Sequence, residues 1–303
     1  MCTTENCIED EDVDRERRSF LTGATVAAVS AALGINASAQ QTQQTPQPPT
    51  NALTDPNVIQ GEVTFKNRAD TIGGYLARPR KRGRHRAVIV LHGDLFLPAD
   101  HRYTTAQLAQ AGFVGLAVRR FSRTPDLTIQ ELIRSDREDQ RYLSYTFVKQ
   151  ELSDAQAAID FVTSEPYVKG KTVGMVGFCG GGCQALLLSS QSKDVAAVVA
   201  FYAPPILLAQ YQNANDPRPN LMDIVDKLKA PIQGHYGTAD NAVPVEDVRR
   251  FEQELKKLKA PAEFFYYEGA GHAFCDYTRR NYQASYAAVA KQRMITFLKR
   301  KLK

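Results

Sequence analysis

Three side chains able to move protons or attack a carbonyl stand just past three separate apolar runs of this 303-residue chain: Cys179, Asp240 and His272. Cys179 sits in Gly177-Phe-Cys-Gly-Gly181, a Gly-x-Cys-x-Gly pattern that follows the run 172–176. A strand that turns sharply into a helix crowds the positions flanking its tip. Glycine relieves that crowding and lets the tip lift a side chain clear of the sheet. The N-terminus of the following helix would favour the thiolate. Asp240 ends Tyr236-Gly-Thr-Ala-Asp240, after the run 232–236, and His272 lies in Glu268-Gly-Ala-Gly-His272-Ala-Phe274, after the run 263–267. A thiolate attacks an acyl carbon. An imidazole passes the proton between sulfur, leaving group and water, and a carboxylate orients that imidazole and stabilises its charged form. Taken singly, each residue has a plainer reading: a glycine-rich phosphate loop with a buried thiol, a helix-capping aspartate, a loop histidine. The phosphate-loop reading fails on spacing, because no Gly-x-Gly-x-x-Gly is present and Val199 stands where the acidic partner would be.

The elements that must position these residues follow from apolar periodicity. Segments 58–66 and 72–78 alternate apolar and polar residues, with Gly73-Gly74 between or near them, and predict an antiparallel hairpin at a sheet edge. Ala87-Val-Ile-Val-Leu91 is continuously apolar, which predicts a strand covered on both faces. Segments 113–118, 172–176, 195–202, 232–236 and 263–267 repeat that character. Helical patterns lie between them at 104–111, 152–164, 182–190, 223–229 and 245–259, and a long helix covers 282–302. Alternating strands and helices predict an α/β fold with a doubly wound, mostly parallel sheet flanked by helices. Chemistry in such sheets gathers at the carboxyl ends of the strands.

The chain order nucleophile, acid, histidine is that of the α/β-hydrolase fold. In that fold the loop after the third strand, here His92-Gly93-Asp94-Leu95, shares an oxyanion hole with the residue after the nucleophile. The donors expected are the backbone amides of Gly180 and Leu95. His92 is read as a structural strand-end residue and not as a second base.

With these pieces in place, the chain over 59–302 resembles the dienelactone hydrolase family. The resemblance rests on Gly177-Phe-Cys179-Gly-Gly-Gly182, Gly237-Thr-Ala-Asp240 and Gly269-Ala-Gly-His272-Ala-Phe274. Leu152-Ser-Asp-Ala-Gln-Ala-Ala-Ile159 and the terminal Arg293/Phe297-Leu298 pattern also match. It implies hydrolysis of a cyclic enol ester, 4-carboxymethylenebut-2-en-4-olide, to maleylacetate, with no metal and no organic cofactor. The family carries a Glu where Asp94 stands, beside the resting thiol, so the resemblance makes Asp94 the candidate thiol switch. The family arginine that binds the substrate carboxylate falls at Asp276, with Arg279 and Arg280 just beyond; a second corresponds to Arg137 or Arg141.

Composition bounds what else the chain could be. Hydrophobic residues make up 43% and charged residues 23%, as in soluble globular proteins. Five cysteines are too few for a disulfide scaffold, and no paired Cys-x-x-Cys or Cys/His spacing predicts a zinc site. No basic cluster interleaved with aromatics predicts nucleic-acid binding. The net charge is +5, and residues outside 1–39 hold 35 basic against 26 acidic groups, which fits an anionic small-molecule substrate. Residues 1–39 read as a twin-arginine export signal: Arg17-Arg18-Ser-Phe-Leu21, an apolar stretch to Ile35, then the small-residue cleavage signal Ala37-Ser-Ala39. The expected location is the periplasm or beyond, reached through the twin-arginine machinery, with no stable membrane insertion of the mature chain. Residues 40–57, rich in Gln, Thr and Pro, are expected to be a disordered linker, and 58–303 the single folded domain.

The leading expectation is therefore a hydrolase of esters or lactones working through a thioacyl-enzyme. A general carboxylesterase or thioesterase with the same three residues is the alternative within enzymes, and a non-catalytic binding protein on the same scaffold the alternative outside them.

Overall fold

The computed structural model describes residues 51–93, 99–120, 122, 148–206 and 218–303. Its centre is an eight-stranded sheet: β1 (Val58–Asn67), β2 (Asp70–Pro79), β3 (His85–Leu91), β4 (Val114–Val118), β5 (Val168–Phe178), β6 (Val195–Phe201), β7 (Ile232–Gly237) and β8 (Ala262–Tyr267), in the order β1-β2-β4-β3-β5-β6-β7-β8. β2 runs antiparallel to both of its neighbours, and every pairing from β4 through β8 is parallel. The helices are α1 (Asn51–Thr54), α2 (Ala99–Gln110), α3 (Val148–Ser164), α4 (Gly180–Ser189), α5 (Val245–Lys257) and α6 (Ala284–Lys301).

The apolar runs are continuous because both faces of the sheet are covered. Along β3, Ala87, Ile89 and Leu91 face a core with Ile159 of α3, Leu186 and Leu187 of α4 and Phe251 of α5. Val88 and Val90 face the opposite core, with Leu108 of α2 and Met294, Phe297 and Leu298 of α6. A period-2 strand between two helical layers has no face left for a polar residue. The doubly wound α/β architecture expected from the sequence is the one observed.

Four local expectations are corrected. Gly73 and Gly74 lie inside β2; the hairpin turns at Arg68-Ala69, with Asn67 opposite Asp70 and Arg68 in the left-handed region at φ 55°. The segment read as a helix over 223–229 is a 3₁₀ helix at Leu221–Lys227, and its next residue, Leu228, is already extended at ψ 95°. Pro231 follows shortly, and residues ahead of a proline leave the helical region. The helix read from 104 starts at Ala99 instead. Its first turn is polar in sequence but buried in the fold, where Asp100 meets Lys291 of α6 at 2.7 Å. Finally, the expected linker does not extend to 57. Asn51–Thr54 form a helical turn whose Ala52 is fully buried beside Tyr103, Ala106 and Tyr277. Gln60 Nε2 donates to the carbonyls of Ala52 and Leu53 at 3.3 and 2.8 Å. Residues 1–50, including Arg17 and Arg18, lie outside the described residues. Among the described residues no helix is long and apolar enough to cross a membrane.

Candidate active site

β5 ends at Phe178 and α4 begins at Gly180, so Cys179 alone makes the turn between them. It does so at φ 52°, ψ −122°, a conformation that L-residues avoid and that must be held by its surroundings. The surroundings are visible. The Cys179 amide donates to the Phe201 carbonyl at 2.9 Å, and the Cys179 carbonyl accepts from Gly182 at 2.9 Å. A Cβ on Gly177 would fall 2.3 Å from the Gly181 carbonyl oxygen, and one on Gly181 the same distance from that of Leu91. The glycines singled out in the sequence are thus required by contact, strand end against helix start. Gly180 opens α4, where first-turn amides find no carbonyl within their own helix.

Two loops bring the other residues to the same end of the sheet. The Gly237-Thr-Ala-Asp240 turn after β7 is bonded to the loop after β8 by Thr238 N–H to Tyr267 O and Ala239 N–H to Ala270 O, both 3.0 Å. A Cβ on Gly237 would lie 2.1 Å from that Ala270 oxygen, so only glycine permits the crossing. The result places Asp240 Oδ2 2.8 Å from His272 Nδ1, while Asp240 Oδ1 accepts the amides of Ala242 and Val243 at 2.8 and 2.9 Å. Three hydrogen bonds to the two oxygens of this buried carboxylate fix its orientation.

The electrostatics follow. Burial pulls the His272 pKa down, but hydrogen bonds to Asp240 and to Cys179 outweigh it and push the value up to about 10. The imidazolium is therefore favoured between a carboxylate and a sulfur. The other described cysteines differ. Cys183 is buried, its thiol donates to the Pro204 carbonyl at 3.3 Å, and burial pushes its pKa up to about 12. Cys275 is fully buried, and burial raises its pKa well above the ordinary thiol range. Both stay protonated. None of the three is in a disulfide, and Cys179 alone of them is part-exposed.

Cys179 and His272 open into a cavity of about 360 Å³ that Gly93, Tyr202, Arg279 and Arg280 also line. A larger groove of about 800 Å³ runs along α3 and α4 but holds no cysteine or histidine. No group of ligating side chains able to hold a metal occurs among the described residues.

Of the sequence-derived candidates, Cys179, Asp240, His272 and Gly180 converge here. His92 is buried and its Nε2 accepts the Arg120 amide at 3.2 Å, as its structural reading requires. Asp94, Leu95, Arg137 and Arg141 lie outside the described residues. Sequence reasoning missed Tyr202, whose ring packs edge-on to His272 at 5.0 Å and whose backbone is held at φ 39°. It missed Ala273, left-handed at φ 60° directly after His272. It also missed Gly93, which backs onto Cys179. Only Gly93, as a glycine after a buried strand, carried a local signal of close backbone approach.

The comparisons with known proteins agree with this architecture. The model of the dienelactone hydrolase family matches residues 72–302. A Synechocystis protein provisionally named a carboxymethylenebutenolidase is 30% identical over 243 residues, covering 80% of this chain and 96% of its own. A Bradyrhizobium protein, provisionally named a 2-oxo-3-(5-oxofuran-2-ylidene)propanoate lactonase, is 32% identical over 236 residues, 74% of this chain and 88% of its own. Among solved structures, one provisionally named a dienelactone hydrolase, from Klebsiella pneumoniae, superposes with a TM-score of 0.68 at 25% identity, covering 80% of this chain and 98% of that one. The chain belongs to the dienelactone hydrolase family, and it is a hydrolase of esters or lactones.

Proposed function

We propose that the hydrolysis runs through a Cys179-His272-Asp240 triad and a thioacyl-enzyme. The observation that carries this reading is the strained Cys179 backbone beside an imidazole that is itself hydrogen-bonded to a buried carboxylate. His272 takes the Cys179 proton, and the thiolate adds to the acyl carbon of the substrate. The carbonyl oxygen becomes an oxyanion facing the Gly180 amide, with Leu95 as the expected second donor. Collapse breaks the bond to the leaving oxygen, which receives the proton from the His272 imidazolium. A water then gives its proton to His272 and adds to the thioester. Carboxylate product leaves, and the proton returns to sulfur. Asp240 stabilises the imidazolium in both halves.

Arg280 favours substrates that carry a carboxylate. It lines the cavity mouth and has no carboxylate partner among the described residues, whereas Arg279 lies 3.6 Å from Asp276. Asp94 takes the family's thiol-switch position in this reading. Turnover of lactones against linear p-nitrophenyl esters separates a lactonase from a general esterase. Cys179→Ala tests the triad itself: turnover should be almost abolished while melting is little changed, and ester hydrolysis at the wild-type rate would refute the assignment. Residues 1–39 serve, in the same reading, as a twin-arginine export signal. Changing Arg17 and Arg18 to Lys should retain precursor in the cytoplasm, and unimpaired export would point to another route.

A further inference from the structure

Arg120 follows β4 at the carboxyl end of the sheet, yet its side chain is only 1% exposed. Its two terminal nitrogens divide between the start of the loop after β3 and α3. Nη1 donates to the carbonyls of His92 and Gly93 at 3.0 and 3.3 Å, and Nη2 donates to Glu151 of α3. The other Glu151 oxygen accepts from Arg218 Nη2 at 2.8 Å, and that side chain is also buried. Gly93 in turn lies hard against the turn that carries the nucleophile. A Cβ there would fall 2.7 Å from Cys179 Cβ and 3.0 Å from the Gly180 nitrogen.

Two guanidinium groups and a carboxylate are costly to bury, and apolar side chains would commonly hold a fold as well. A guanidinium offers what they cannot: a planar fork that holds two carbonyls and a carboxylate at once. We propose that Arg120, braced by Glu151 and Arg218, is a positioning residue that holds the His92–Gly93 peptide against Cys179 and Gly180, and so sets the place where the substrate's carbonyl oxygen becomes an anion. This rests on the triad reading above. Arg120 does not touch the reacting atoms; it acts through Gly93. A lysine there keeps the charge and loses the fork. Displacing one wall of an oxyanion site typically costs about 10²-fold in turnover.

The test is Arg120→Lys, read in two ways on the same folded protein. kcat for a p-nitrophenyl ester should fall about 10- to 100-fold with KM within about threefold of wild type. The rate of Cys179 alkylation by iodoacetamide should stay within about twofold, because alkylation builds no oxyanion. A kcat within twofold of wild type would overturn the proposal. So would an alkylation rate that falls in step with kcat, since Arg120 would then act on the thiol or on folding. If Arg120→Lys does not fold, Glu151→Gln replaces it: it keeps the size and one acceptor, and should show the same split at about three- to tenfold. Alkylation of wild-type Cys179 that leaves turnover intact would instead sink the triad reading, a result distinct from either failure above.

Discussion

Two histidines, one inside β7 and one in the loop after β8, end in opposite states. His235, inside β7, is fully buried among aromatic rings, stacked on Phe201 at 4.6 Å and Phe265 at 5.4 Å. Its neighbours are neutral: the Tyr267 hydroxyl at 2.8 Å from Nδ1 and the Gln233 side-chain oxygen at 2.9 Å from Nε2. Burial, helped by the Arg293 charge, pushes its pKa down to about 3. His272 is also largely buried, yet Asp240 and Cys179 push it up to about 10. Burial alone opposes the charge in both. What separates them is one carboxylate and one sulfur, and under the proposed triad that difference makes His272 the proton shuttle and leaves His235 a structural strut.

The largest expected break in this contrast is His272→Ala, which should lower kcat by about 10⁵-fold or more, since a triad acts as a unit. Steady-state ester hydrolysis measures it, and a loss under tenfold would show that another base is at work. Asp240→Asn tests the carboxylate itself. It keeps the shape and removes the charge, and kcat should fall on the order of 10⁴-fold, as for the same change in a comparable triad. The His272 pKa, followed by NMR titration, should drop toward the ordinary imidazole range.

His235→Phe should act on stability only. It removes one partner each from the Tyr267 hydroxyl, which keeps Arg293 at 3.3 Å, and from the Gln233 side-chain oxygen, a cost of about 1–3 kcal/mol. Denaturant melts should record that loss while kcat per folded molecule stays within about twofold of wild type. A parallel fall in kcat would mean that His235 is coupled to the site.

The smallest effect is the sign of the pH dependence. Below about 6.5 the unfolded chain protonates His235 and the native state resists until about 3, so this group's stabilisation is lost as pH falls through that window. His272 behaves oppositely. The native state keeps its proton up to about 10 while the unfolded state releases it near 6.5, so its stabilisation is complete below 6.5 and is lost as pH rises toward 10. Melts at pH 4.5, 6.5 and 9 should therefore show His235→Phe narrowing its gap to wild type on the acid side, and His272→Ala narrowing its gap on the alkaline side. Equal gaps across all three would refute the assignment of charge states.

Much of this was legible in order along the chain. A buried strand writes itself as a short apolar run, and a chain that must turn under another backbone writes glycine, so Gly177, Gly181 and Gly237 marked both the turns and what stood between them. The errors were local in a different sense. The polar first turn of α2 read as loop because its neutralising partner, Lys291, lies 191 residues from Asp100. Arg120, directly after an apolar strand, carried no signal in the sequence. Glu151 and Arg218, its brace, stand 31 and 67 residues away from the groups they bind.

By itself, the sequence determined the parallel sheet, the Cys-Asp-His order at three strand ends and the glycines that permit it, because those features depend on backbone sterics and on periodicity over a few residues. Only the tertiary structure decided that His272 and not His235 meets a carboxylate, that Tyr202 packs against it, and that Arg120 grips the peptide behind Cys179. Charge state and hydrogen-bond partnership depend on which groups come within about 3 Å of one another, and in a sheet whose neighbours are out of chain order no local pattern records that.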